Sequence, residues 1–535
     1  MRRLTLACLA AALLTSLASS QVNLPKTPVR DVTEDYFGTK VSDPYRWLEN
    51  TSDPEVVSWM KAQNDYTREA LEKIPGREQL LDRIKSLDNA GATVFSLQVW
   101  GGHYFYLKTE PGSDNRKLYV RDTVSAPERL LVDPEKLTAA DGKHFSIDYF
   151  QPSLDGQLIA YGMSPGGSED SVLHVLETAT GKALPDVIDR AQFGQPTWLS
   201  DSKSFFITRT QKLGPNDPPT AKYQKLRVYR HTLGNDPEKD AQIFGYEFTP
   251  NVKVTEDDFP VVIYSPAAPK SMVGLVIHGV KNEKDVYVAP FEDVPTAKTP
   301  WKKVADDSED ITNFDLHGDD LFLLSHKDAS RYKVLRTSLS NPDLAKASLV
   351  VPPSEVVIVT IAVAADGLYV QDLDGGIGRL RRLPYGSGPA EPVKLPFEGA
   401  IQSLVANPTQ PGAWLELTGW TKSPVWYALD AKGKLADTHI VPPSPVDFSQ
   451  IVSEEVKAKS ADGTMVPLSI IHKRGIAMDG SHPTWLEGYG AYGITLDPAF
   501  RPTWLAFLER GGIYAVAHVG AVENTAKTGT MPGGC

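Results

Sequence analysis

From about Phe95 to Pro445 the chain is written in short β-rich runs separated by turns, and no amphipathic helix of ordinary length interrupts them. YFYLKTE (Tyr104–Glu110), KLYVRD (Lys117–Asp122), LIAYGM (Leu158–Met163), SFFITR (Ser204–Arg209), DLFLLSHK (Asp320–Lys327) and VWYALD (Val425–Asp430) are typical, and Gly, Pro, Asp, Asn and Ser lie between such runs. Aromatic and β-branched residues suit a pleated, half-buried surface, and the punctuating residues suit chain reversal. Many short strands at even spacing build a series of sandwiches, a barrel or a propeller. About 350 residues divided by seven gives roughly 50 per unit, close to a four-stranded propeller blade. PSLDG (Pro152–Gly156) and TWLSD (Thr197–Asp201) echo each other, each preceding a β run of similar length. The texture favours a propeller over residues 91–445; two successive β-sandwiches are the rival.

The flanks read differently. Arg2 and Arg3 precede an apolar run from Leu4 to Leu17, and Ala18, Ser19 and Ser20 then offer a cleavage site before Gln21. This is the pattern of a secretory leader over residues 1–20, and fourteen apolar residues are short for a membrane span. The expected location is periplasmic or secreted, with no membrane contact after leader removal. Pro54–Ile74 and Gly76–Leu87 have helical spacing and define a helical segment over 21–90. Only Cys8 and Cys535 are present, so the body has no disulfide framework and no thiolate metal site. No HExxH occurs, the eleven histidines are scattered, and neither a metal nor a cofactor is expected. A net charge of −12 without a basic block argues against nucleic acid as a partner.

Beyond Ser444 the pattern changes again. Glu454–Ser460 and Val466–Lys473 read as a hairpin turning at Asp462-Gly463. Thr484–Glu487 enters the glycine-rich EGYGAYG. A helix is predicted over Asp497–Arg510, capped by Asp497, started at Pro498 and ended by Gly511. Ile513–Val519 is a continuous apolar strand suited to burial on both faces. Strand, loop, helix and buried strand open an α/β sheet over 446–519.

Three separated blocks resemble the prolyl oligopeptidase family: Tyr36–Gly38 with DPYRWLEN (Asp43–Asn50) and AQN (Ala62–Asn64), the β region, and the passage from SADGTMVPLSIIHKRG through DGSHPTWLEGYGAYG to GGIYAVAHV. The resemblance implies a seven-bladed β-propeller capping an α/β-hydrolase domain, on which the N-terminal helical segment packs. It implies a monomeric serine endopeptidase that cuts short peptides after proline. A serine hydroxyl is a weak nucleophile, so the family chemistry needs a histidine to take its proton and an aspartate to orient the imidazole. Tyr489 matches the family's oxyanion donor, and Tyr492 stands where the family has a Phe lining the proline pocket, though its hydroxyl departs from that pattern.

After AHV the family continues with arginine, GGGEYG and WH, whereas this chain reads GAVENTAKTGTMPGGC (520–535). No GxSxG occurs in these residues, and GGSED (Gly166–Asp170) and YGSG (Tyr385–Gly388) read as turns. Back-translated from Gly520 and read from the third base, suitable codons spell GGGEYGKDWHDA, which points to a one-base frameshift at an arginine codon. The fold expected for these residues is thus a seven-bladed β-propeller, an incomplete α/β-hydrolase domain and an N-terminal helical segment, without the triad serine, aspartate and histidine and inactive alone. A non-catalytic propeller that binds peptides is the alternative.

Overall fold

The computed structural model describes residues 24–137, 142–292, 294–386, 388–490 and 494–519. The leader, Tyr492 and the tail from Gly520 lie outside the described residues. The chain divides into two compact units, residues 1–83 and 84–535.

In the first unit Val32–Tyr36 and Thr39–Asp43 form an antiparallel hairpin. Phe37 and Gly38 at its tip both have positive φ (54° and 88°), as a two-residue turn matched to strand twist requires. A helix follows over Pro54–Glu72, with the Asp53 carboxylate accepting from the Glu55 amide and Pro54 in the first turn. Trp47 and Trp59 pin the incoming chain: their indole N–H groups donate to the Pro28 carbonyl (2.9 Å) and Thr27 Oγ1 (3.0 Å).

The second unit holds, among the described residues, seven consecutive four-stranded antiparallel sheets, over 93–132, 145–188, 197–245, 259–305, 311–351, 357–393 and 400–437. Each is a simple meander, so no strand is exchanged between sheets. Their alternating patterns give every sheet two apolar faces, and the buried clusters lie between neighbours. Phe105, Leu118 and Val120 of the first sheet meet Phe150, Ile159 and Met163 of the second. Phe244 of the third packs its ring 4.9 Å from that of Trp301 of the fourth. Tyr369 and Leu380 of the sixth meet Ile401, Leu415 and Leu417 of the seventh. Trp414 and Trp426 of the seventh then pack on Val94, Leu97 and Tyr106 of the first, so the contacts run in a cycle.

Hydrogen bonds cross the same junctions. Gln98 Nε2 donates to the Phe150 carbonyl (2.9 Å), Trp198 Nε1 to that of Gln151 (3.0 Å) and Thr208 Oγ1 to that of Pro260 (2.8 Å). The Gly318 amide reaches the Ala267 carbonyl (2.7 Å), Asn313 Nδ2 reaches Thr360 Oγ1 (3.0 Å) and Gln371 Nε2 the Ile401 carbonyl (2.8 Å). Asn407 Nδ2 joins the seventh sheet to the first at the Val99 carbonyl (2.9 Å). Buried backbone acceptors that the meanders leave unpaired are satisfied by the next sheet.

The remaining sheet is mixed, in the order Ile451–Lys459, Met465–Lys473, Ile513–Ala517, Thr484–Gly488, and its last two strands run parallel. Leu87, Trp420, Phe448, Ile471, Leu505, Tyr514 and Val516 form one cluster beneath it. The helix predicted over Asp497–Arg510 is corrected to a 3-10 turn at Pro502–Trp504 and a single α-turn at Leu505–Leu508. Pro502 forces the preceding Arg501 into extended backbone (φ −123°, ψ 93°), so a helix cannot pass through it. Among the described residues no helix is long and apolar enough to cross a membrane.

Candidate active site

Tyr489 follows the parallel strand Thr484–Gly488, beside the point where Ile513–Ala517 ends. The carboxyl ends of parallel strands are where α/β sheets present ligand-binding groups, because the loops there diverge and free backbone amides point outward. A Cβ on Gly490 would stand 2.8 Å from the Val519 carbonyl oxygen, so only glycine lets this loop pass the neighbouring strand end. The Tyr489 side chain is 41% exposed and makes no hydrogen bond among the described residues. Its hydroxyl is therefore free to donate to a ligand.

The same sheet contains a serine–histidine pair that the sequence reading did not single out. Ser469 Oγ lies 2.7 Å from His518 Nε2, and the Ser469 hydroxyl is also 2.6 and 2.8 Å from the two Glu455 carboxylate oxygens. Its wiring is wrong for nucleophilic catalysis, since the carboxylate bonds the serine and not the far side of the imidazole. Ser469 is also fully buried. Among the described residues His518 Nδ1 has no hydrogen-bond partner, and burial holds the imidazole below its ordinary pKa. A Cβ on Gly376 would come within 3.2 Å of the His518 ring, so the network sits where the mixed sheet meets the Gly375–Gly376 turn of the sixth sheet. Gln402 Nε2 adds a second tie, donating to the Pro498 carbonyl at 3.0 Å. Asp497 caps no helix: it is surrounded by protein with Oδ1 unpartnered, and burial raises its pKa to about 6.

A cavity of about 1050 Å³ runs through the seven-sheet region. Every sheet contributes a first-strand side chain or a residue beside one, from Trp100 and Tyr149 through Phe259 and Phe314 to Ile361 and Ala406. Four charged residues line it: Arg116, Asp148, Glu169 and Asp315. Asp315 accepts the Leu316 and Val363 amides (2.8 and 2.7 Å), and burial still raises its pKa to about 6. Sequence reasoning passed over these residues. Glu169 lay in a segment read only as a turn, and nothing in a strand pattern tells which turn faces a channel.

Residues 25–437 match the family model for the prolyl oligopeptidase N-terminal beta-propeller domain. A prolyl endopeptidase of Elizabethkingia meningoseptica is 26% identical over 504 residues, covering 94% of this chain and 69% of its own length. The dipeptidyl aminopeptidase BI of Pseudoxanthomonas mexicana is 25% identical over 505 residues, with 90% and 67% covered. A solved prolyl endopeptidase structure superposes with a TM-score of 0.82 at 28% identity, over 94% of this chain and 72% of that one. Prolyl oligopeptidase B of Galerina marginata, bound to a 25-residue macrocyclization substrate, superposes with the same score at 21% identity, over 94% and 72%. The family model matches most of the chain and the fold agrees with it, and the chain belongs to the prolyl oligopeptidase family.

Proposed function

We propose that this chain carries the substrate-admitting part and the opening strands of a serine endopeptidase that cleaves short peptides after proline. In this reading the seven sheets are the blades of a propeller over 91–445, 446–519 begin an α/β-hydrolase domain, and residues 21–90 are the N-terminal helical segment that belongs with that hydrolase domain. The observation that carries it is Tyr489: an unpaired, accessible phenol at the carboxyl end of a parallel strand. There it would donate to the oxyanion that forms when serine attacks the peptide carbonyl. A donor aimed at nascent negative charge lowers such a barrier by roughly 3–4 kcal/mol. Tyr492, three residues on, would give the proline ring an apolar contact. The enzyme would be an exported monomer, periplasmic or released, without a metal or cofactor.

Residues 1–519 supply the donor but not the triad, so the 535 residues by themselves are expected not to form an acyl-enzyme. The tail from Gly520 is read as frameshifted, and the nucleotide sequence across the Val519–Gly520 junction tests that directly. Codons that forbid the shifted frame would end the idea. The functional test is hydrolysis of a proline-linked chromogenic peptide. The chain as written should be silent, and the frame-restored product should turn over and be blocked by a serine-directed phosphonate. Phosphonate-sensitive turnover by the 535 residues would overturn the reading. The rival, a non-catalytic propeller that captures peptides, draws support from the roughly 1050 Å³ cavity, and it gains if no frame supplies a serine-bearing continuation.

A further inference from the structure

We propose that the wall of the cavity between the second and third sheets, built by Asp148, Glu169 and Gln192, selects peptides that carry a positive charge. The inference rests on the peptide-handling reading above and names the substrate class that reading leaves open. All three residues line the same cavity, and one set of hydrogen bonds ties the backbone segments that carry Glu169 and Gln192 to the Asp148 carboxylate. The Ser171 hydroxyl donates to Asp148 (2.6 Å) and also lies 3.3 Å from the Glu169 carbonyl, while the Ser171 carbonyl accepts the Ala191 amide (3.1 Å) beside Gln192. Ser164 Oγ donates to the other Asp148 oxygen at 3.0 Å, so this carboxylate is held in place by two hydroxyls.

Two groups on this wall lack partners. The Glu169 carboxylate is exposed to the cavity and makes no ion pair or hydrogen bond among the described residues. Gln192 is 5% exposed, and its Oε1 has no hydrogen-bond partner. A buried acceptor without a donor is destabilising, and a turn of the Gln192 amide toward an incoming N–H group would relieve it. Glu169 and Phe193 both hold positive φ (59° and 65°), a strained backbone for side chains of their size. Such strain collects where a site must be held in shape.

The sign of the charge decides the ligand class. Asp148, Glu169 and Asp315 face the cavity against Arg116 alone, and the Arg116 guanidinium stacks 4.2 Å over the Phe95 ring. A concave site walled by protein concentrates such a field, so an ammonium or guanidinium is drawn in and a carboxylate is repelled. Arg116 limits the preference without reversing it.

The test uses the 535-residue chain, because it reads binding and needs no catalysis. Blocked pentapeptides identical but for one Lys, Gln or Glu are titrated calorimetrically at low and high salt. The Lys peptide should bind roughly tenfold tighter than the Gln peptide and the Glu peptide more weakly still, with the spread shrinking as salt screens the field. Glu169→Gln, an exposed change that does not threaten folding, should cut the Lys preference to below about threefold. Arg116→Gln should widen it, and Glu355→Gln, at a highly exposed acid outside the cavity, should leave it unchanged. Equal affinities for the three peptides, or a preference indifferent to Glu169→Gln, would overturn the proposal. So would the absence of binding by all three. Cleavage after proline by the frame-restored product without any charge preference would sink this inference alone and leave the endopeptidase reading standing.

Discussion

The seven-sheet region and the mixed sheet that follows it solve the same problem in different ways. In the first, each sheet has a neighbour on either face, and the cluster joining Trp414 and Trp426 to Val94 and Leu97 returns the chain to its start. Among the described residues the mixed sheet has no such return. Its edge strand Thr484–Gly488 leaves Trp485 57% and Leu486 66% exposed. Large apolar side chains on an unpaired edge are a template for association. Contacts that run in a cycle cover both faces of each sheet in the first region, whereas the edge strand of the mixed sheet leaves large apolar side chains uncovered.

The polar networks differ in the same direction. In the first region His231 is fully buried between Asp240 (2.9 Å) and Asp186 (3.1 Å). Burial alone would lower its pKa, but Asp240 and then Asp186 raise it above the ordinary value. In the mixed sheet His518 has Ser469, a more distant Glu455 and the Leu496 backbone nearby, and burial still wins. One network is closed and the other has a loose end.

Breaking the closed network should have the largest effect. His231→Ala leaves two buried carboxylates facing each other, and urea unfolding should show a loss of about 3–5 kcal/mol in the seven-sheet region. A loss below about 1 kcal/mol would mean the carboxylates are relieved elsewhere. Next comes Tyr489→Phe in the frame-restored product, expected to lower kcat by roughly 10²–10³ with KM little changed. An unaltered kcat would show that the phenol does not meet the oxyanion. Ser469→Ala should cost about 1–2 kcal/mol, confined to the segment after Ser444 and visible as faster proteolysis there. Equal resistance of that segment and the β region would erase the contrast.

Opposite pH responses should sharpen it. The stabilisation from His231 is full below the ordinary imidazole pKa and is lost as pH rises through its raised folded value. His518, held low, makes the folded state resist protonation, so its region weakens as pH falls below about 6.5. Hydrogen exchange resolved by segment should show the strands around His231 opening toward alkaline pH and those around His518 opening toward acid. The smallest effect is expected from Leu486→Lys. This exposed change should move stability by less than about 0.5 kcal/mol and still reduce association in light scattering. Unchanged association would mean the edge is not the sticky surface.

Much of the architecture is legible in local chemistry. Pro54 after Asp53 starts a helix, Asp462-Gly463 turns a hairpin, and the apolar run at Ile513 is a buried strand, because each depends on neighbours a few residues away. The helix expected from Asp497 was misread because a cap and a first-turn proline were weighed above Pro502, which breaks the run four residues later. Tyr489 could be singled out only through the family resemblance, since nothing local separates a donor from a packed aromatic. Glu169, Gln192 and the Ser469–His518 pair could not be found at all. Their roles come from residues tens of positions apart being folded onto one wall or one sheet face.

By itself, then, the sequence determined the kinds of element, their order and the family, because strand and turn preferences are short-range and repeat along the chain. The tertiary structure alone decided which faces close on one another, which carboxylates share a cavity and which histidine is left with an open side. Burial and electric field are sums over neighbours in space, and no stretch of chain carries them before it folds.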